Sequence, residues 1–252
     1  MKTKILFEDK FIMVCYKPAG LPTQTASVMA PDMISELKNY LRRSSGNGTK
    51  EPYVGLVHRL DQPVEGLLVF GKTQRAAAAL SAQLNDGTLH KTYLAVTEGI
   101  PEEKEAVLTG YLWKDGRDNS SRVVPEGTKG AKRAELSYRV VAVKSGSATE
   151  QEGSAAEAES DDGADRHGGL ALLEIDLKTG RHHQIRVQMA HMGCPLLGDR
   201  KYGRSSQTVR NPALCASKLA FRHPQTGKMM EFTVDPEGDA FAIFTEKTRT
   251  GF

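Results

Sequence analysis

Two apolar runs, Tyr53-Val54-Gly55-Leu56-Val57 and Gly66-Leu67-Leu68-Val69-Phe70, enclose the charged stretch His58-Arg59-Leu60-Asp61. Short apolar runs of this kind read as strands. A carboxylate and an arginine then stand together at a strand end, and neither is buried unless paired and hydrogen-bonded. Those four residues admit two readings, a structural ion pair at a loop or a working carboxylate. What separates the two lies elsewhere in the chain.

The surrounding pattern predicts an α+β fold, with a mixed, mainly antiparallel sheet and flanking helices, because many strands and few helices occur without regular βαβ alternation. Ile5 to Phe7 and Phe11 to Tyr16 read as strands around a Glu8-Asp9-Lys10 turn, followed by the rigid loop Lys17-Pro18-Ala19-Gly20. A helix is expected from Met33 to Arg43, with Ile34, Leu37 and Leu41 on one face and Asp32 as its cap. Thr73 is placed to cap an alanine-rich helix that Gly87 ends. Lys91 to Val96 is the next strand, and Ala134 to Val143 and Leu170 to Leu177 are expected to pair as neighbours. Arg181 to His191 shows helical spacing, and strands follow at Ala213 to Phe221 and Met229 to Val234.

The length of 252 residues accommodates one domain, taken as 1–252. Between the paired strands, 145–169 carries seven acids and one arginine and no apolar residue larger than alanine, so it reads as a disordered acidic insert. The net charge is +3, but without that segment 33 Lys and Arg face 24 Asp and Glu, a balance of +9. That favours a polyanionic partner. Cys15, Cys194 and Cys215 are odd in number and widely spaced, which argues against a disulfide framework and fits a reducing cytoplasmic setting. No signal peptide or membrane span is present, and no protein partner is evident. His182, His183 and His191 lack the spacing of a zinc site, so no metal is expected.

Three elements bear chemistry that can meet: Arg59 and Asp61 after one strand, Tyr93 within another, and Arg181 with Ile185 on a helix. Residues four apart on a helix share a face, so Arg181 and Ile185 are both expected to face Asp61. An arginine there would keep the carboxylate ionised, as a nucleophile or base requires. Against this stand a surface-helix arginine and a core tyrosine with no joint role. Lys201, Arg204 and Arg210 form a basic strip suited to phosphates or simply to solvent.

His58-Arg59-Leu60-Asp61 with Gly66-Leu67-Leu68-Val69, Lys91-Thr92-Tyr93, Gly180-Arg181-His182-His183-Gln184-Ile185-Arg186 and Gly198-Asp199-Arg200-Lys201-Tyr202-Gly203, in this order, resemble the RluA family of RNA pseudouridine synthases. Lys17-Pro18-Ala19-Gly20 also sits where that family has its own such loop. The resemblance runs from about Leu6 to Val234. It implies the pseudouridine synthase catalytic fold, no cofactor, and a structured ribosomal or transfer RNA as partner. Such enzymes cut the bond between uracil N1 and the ribose of a uridine in RNA, turn the base, and rejoin it through C5. By resemblance Asp61 is the catalytic carboxylate, either attacking the ribose or taking its 2′ proton. Arg59 fills the gap left by the extruded nucleotide, Tyr93 stacks on the uracil, Arg181 pairs with Asp61, and Ile185 walls the pocket. His58 and Lys201 are the remaining candidates for substrate contact.

The chain departs from the family in two places. Gln62-Pro63-Val64-Glu65-Gly66 occupies the stretch where relatives usually have Thr-Ser-Gly, and Glu65 is expected to alter how the pocket treats phosphates. The few residues before Ile5 leave no room for the small RNA-binding domain that many relatives carry. Two other classes fit parts of the pattern. A glycosidic hydrolase normally needs a pair of carboxylates, and Asp61 has only Glu65 nearby in sequence. A noncatalytic RNA-binding module needs the basic surface but not Asp61.

Overall fold

β2 (Ile12–Lys17) and β4 (Glu65–Gly71) are buried along their whole length in the computed structural model. Their side chains alternate between two cores. Met13, Cys15, Leu68 and Phe70 pack with Met33, Leu37 and Leu41 of α1 (Met33–Ser44). Ile12, Val14, Leu67 and Val69 pack with Ala76 and Leu80 of α2 (Gln74–Asp86). A helix on each face removes the need for polar alternation, which is why the apolar runs are continuous. The structure describes residues 1–25, 30–44, 51–145, 168–203 and 209–245. Nearly all of the acidic insert expected at 145–169, and Arg204, lie outside them.

Among the described residues eleven strands form one sheet. From one edge the order is β1 (Lys4–Glu8), β2, β4, β10 (Leu214–Arg222), β5 (His90–Glu98), β9 (Leu170–Leu177), β8 (Lys132–Lys144), β6 (Glu105–Asp115) and β7 (Ser120–Val124). β3 (Gly55–Leu56) pairs with β4, and β11 (Met229–Thr233) with β10. All pairings are antiparallel except β4 with β10, where Ala216 stands opposite Gly66. Gly66 has φ +122°, and a Cβ on it would lie 2.4 Å from the Ala216 nitrogen, so only glycine allows this approach.

Most expected elements are present. Thr73 caps α2 by accepting from the Ala76 amide at 3.1 Å, and Gly87 ends it in the left-handed region at φ 81°. β8 and β9 pair as neighbours up to Lys144 opposite Leu170. Two strands were not anticipated, β6 and β7 at the far edge of the sheet, nor was α4 (Asp239–Thr245). The helix expected at Arg181 begins later, as α3 (Gln184–His191). His183 interrupts it with φ 54°, and the Gln184 side chain folds back to accept from the Arg181 amide at 3.0 Å. Arg181 therefore lies ahead of the helix, outside its face.

Candidate active site

Asp61 sits in the turn between β3 and β4, and the loop after β2 holds that turn in place. Lys17 is fully buried, and its ammonium donates to the carbonyls of Leu21, Gln62 and Pro18 at 2.7, 2.9 and 3.1 Å. Three donors meet three acceptors, the condition for burying an ammonium. The Gly20 amide donates to the Gln62 carbonyl at 2.9 Å, and Gln62 Nε2 returns a bond to the Gly20 carbonyl at 3.1 Å. The Lys-Pro-Ala-Gly loop is thus a clamp on the residue next to Asp61. Burial holds the Lys17 ammonium down at about 8, against the opposing charges of Asp61 and Glu65.

The Asp61 side chain is 30% exposed. His183 Nε2 lies 3.5 Å and Arg186 Nη1 3.6 Å from its Oδ2. Burial pushes the carboxyl above its ordinary range, and Arg186, Lys17 and Arg59 pull it back without cancelling the rise. Arg186 is gripped from its other side by Asp199, with Nε to Oδ2 and Nη2 to Oδ1 both at 2.7 Å. Asp199 is wholly buried. Although burial works against its charge, the Arg186 bonds and the amides of Lys201 and Tyr202 hold it below the usual carboxylate range.

Tyr93 on β5 is buried in the same core as Ile185 of α3 and Leu60. Burial, then the negative charge of Asp61, push its phenol upward, so it stays protonated. Arg59 is exposed and makes no hydrogen bond or ion pair among the described residues. Arg59 and Tyr93 lie close enough to Asp61 for charge to act between them, and Ile185 shares the core with Tyr93.

Four expectations need correction. Arg181 does not pair with Asp61, because it precedes α3 and its Nε donates to the Arg133 carbonyl at 2.7 Å; Arg186 stands at Asp61 instead. His58 is turned into the core, where Nε2 accepts from the Val69 amide at 3.3 Å and Nδ1 has no partner. Burial drives that imidazole down to about 3, so it is a neutral core group and not a substrate contact. Lys201 is exposed, but its ammonium is tied to the carbonyls of Asp118 and Asn119 at 2.9 and 3.1 Å, bracing the β6–β7 turn. Glu65 points away from the cleft, accepting from Tyr16 at 2.7 Å and from the Gly238 amide at 3.0 Å. It secures the C-terminal segment through these bonds.

The sequence reading missed Arg186, His183, Asp199 and Tyr202, although all four lie inside motifs it singled out. Among the described residues no group of three or more His, Cys, Asp or Glu side chains is placed to hold a metal ion. No described helix is long and apolar enough to cross a membrane.

Residues 11–191 match the model of a family described as RNA pseudouridylate synthase. A Bacillus subtilis protein named Uncharacterized RNA pseudouridine synthase YhcT is 34% identical over 226 residues, 90% of this chain and 66% of that one. Ribosomal large subunit pseudouridine synthase D of Zymomonas mobilis is 31% identical over 256 residues, 96% of this chain and 71% of the relative. The solved structure titled Human RNA Pseudouridylate Synthase Domain Containing 4 aligns with a TM-score of 0.67 at 22% identity, over 93% of this chain and 89% of the other, and shares the fold.

Proposed function

The chain belongs to the RNA pseudouridylate synthase family and is an isomerase that acts on RNA, and from that premise we propose that Asp61 carries the reaction on a uridine turned out of its stack. The observation that carries this reading is a partly buried carboxylate, faced by Arg186 and still partly open to solvent. Both routes left open by the sequence, attack on the ribose or removal of its 2′ proton, need that group ionised. The cut N1 bond and the new C5 bond belong to the same base, so no group enters or leaves and no cofactor is called for.

Around this acid the other roles follow from shape and charge. Tyr93 offers a ring for stacking and a hydroxyl, not a phenolate, because burial and Asp61 both disfavour its ionised form. Ile185 gives the apolar wall. Arg59, long, planar and exposed, suits the space an everted nucleotide leaves. Relatives named for the large ribosomal subunit make its RNA the substrate to test first, with transfer RNA second. Three buried free cysteines agree with a cytoplasmic location.

Total RNA from cells with and without the gene, mapped for pseudouridine, identifies the target; the purified chain is then assayed on that RNA in unmodified form. Asp61→Asn is expected to keep the fold and bind RNA while losing turnover by about 1,000-fold or more. Release of free uracil would replace this reading by a hydrolase. Indifference to the substitution would leave an RNA-binding module.

A further inference from the structure

Tyr202 sits at the meeting point of two chains of contacts that both end on Asp61. Its amide donates to Asp199 Oδ1 at 3.2 Å, and Asp199 grips Arg186, which approaches Asp61 Oδ2. Its hydroxyl lies 2.7 Å from His183 Nδ1, and His183 Nε2 approaches the same Oδ2. The Arg186 guanidinium also lies over the Tyr202 ring, 5.1 Å from its centre.

The direction of the second chain follows from its far end. The Ser121 backbone N–H can only donate, and it donates to the Tyr202 oxygen at 2.8 Å. The tyrosine's own proton then needs an acceptor, and His183 Nδ1 is the one in reach. With Nδ1 accepting, the imidazole carries its proton on Nε2, the nitrogen turned towards Asp61. His182 stacks on His183 with ring centres 3.7 Å apart, and Ser121 Oγ stands 2.9 Å from His182 Nδ1, so the ring plane is fixed as well. His183 occupies a left-handed backbone position that a side chain larger than glycine seldom adopts, at φ 54°. Strain kept at such a place is a recurrent mark of a working residue.

We infer that His183, locked as its Nε2–H tautomer by Tyr202, is a positioning residue that fixes the Asp61 carboxylate so that Oδ1, not Oδ2, meets the ribose. This rests on Asp61 being the carboxylate that carries the reaction. The imidazole faces Asp61 Oδ2 without being charged. Burial, Arg186, His182 and Lys201 all oppose its protonation, and Asp199, which favours it, is outweighed. A neutral donor suits this place, since a second cation would hold the carboxylate too low to act as base or nucleophile. The separation of 3.5 Å is long for a hydrogen bond, and catalytic hydrogen bonds are often long before substrate is bound.

Long-range 1H–15N spectra of the full chain report the His183 tautomer without any RNA. They are expected to show Nε2 protonated and Nδ1 bare, and a mixture of both forms in Tyr202→Phe. A 13C titration of the Asp61 carboxyl is the second readout. His183→Asn tolerates the left-handed backbone but reaches only the Nδ1 position, so the Asp61 midpoint should rise by about half a unit to one unit. His183→Gln, whose amide reaches the Nε2 position, should restore it. On unmodified RNA, kcat of His183→Asn should fall about 10-fold with KM within about twofold, and His183→Gln should recover most of it. A proton on Nδ1 in the wild type, or an Asp61 midpoint unmoved in His183→Asn, overturns the inference. A wild type that isomerises no RNA would instead sink the enzymatic reading, while the two spectra still decide whether His183 holds Asp61.

Discussion

Arg186 stands between two carboxylates that need it for different reasons. Asp199 is buried without solvent, so its charge depends on the two bonds at 2.7 Å; Asp61 is partly exposed and takes only the remaining guanidinium nitrogen at 3.6 Å. Because the folded Asp199 lies below its ordinary value, it contributes stability that is present above the unfolded value of about 3.9 and fades as pH falls through the folded one. Arg186→Met inverts this. Asp199 is then a buried charge with no cation beside it, its folded value rises above the unfolded one, and protonation relieves the cost. The variant should lose about 3–5 kcal/mol at neutral pH. Both chains lose stability as pH drops from 7 to about 5, because the unfolded state takes up protons that His58, His182 and His183 refuse when folded, but urea unfolding should show the variant's deficit against the wild type shrinking over that range. The acid limb of its kcat/KM profile should move to higher pH, since Asp61 loses the first of the cations that pull it down. A variant with a wild-type pH profile of stability would mean that Arg186 does not hold Asp199.

At the scale of the element, the parallel contact of β4 with β10 is the joint on which the acid-bearing turn depends. Gly66 follows Asp61 by five residues and touches the Ala216 backbone so closely that a methyl group must displace the strand. Gly66→Ala is expected to lose more than about 3 kcal/mol, from the forced φ and the overlap together. Circular dichroism melting checks it, with a much larger drop than for an alanine at exposed Gly116, where nothing lies within 4 Å. The same contrast explains what the sequence made legible. Strands β2 and β4 announce themselves through unbroken apolar runs because both faces are covered. Strands β6 and β7 lie at the sheet edge and bury few side chains, so Glu105 to Asp115 offers little periodicity to read. The Asp61 motif was visible for the reason that a carboxylate at a strand end is out of place. The partner arginine was assigned five positions early because helical spacing was extended back through His183, and a left-handed backbone leaves no mark in hydrophobic pattern.

For the molecule as a whole, charge is distributed against the partner it has to bind. Residues 146–167 hold all seven acids of the acidic segment and one arginine, and without them the net charge rises from +3 to +9. Replacing that stretch by a four-residue turn joins Ser145 to Gly168 next to a register already closed between Lys144 and Leu170. Shortening the connection lowers the entropy lost on folding, so stability should rise by about 1 kcal/mol, or some 2–4 °C in Tm. Affinity for RNA should also rise, most at low ionic strength, because seven negative charges no longer repel phosphates within a Debye length. Filter binding of unmodified ribosomal RNA across about 50 to 300 mM salt measures this directly. The shortened chain should bind several-fold tighter at the low end, with the two curves converging at the high end as screening removes the difference. Equal affinities at low salt would assign RNA binding to the charges near Asp61 alone and leave the acidic segment without electrostatic reach over the cleft.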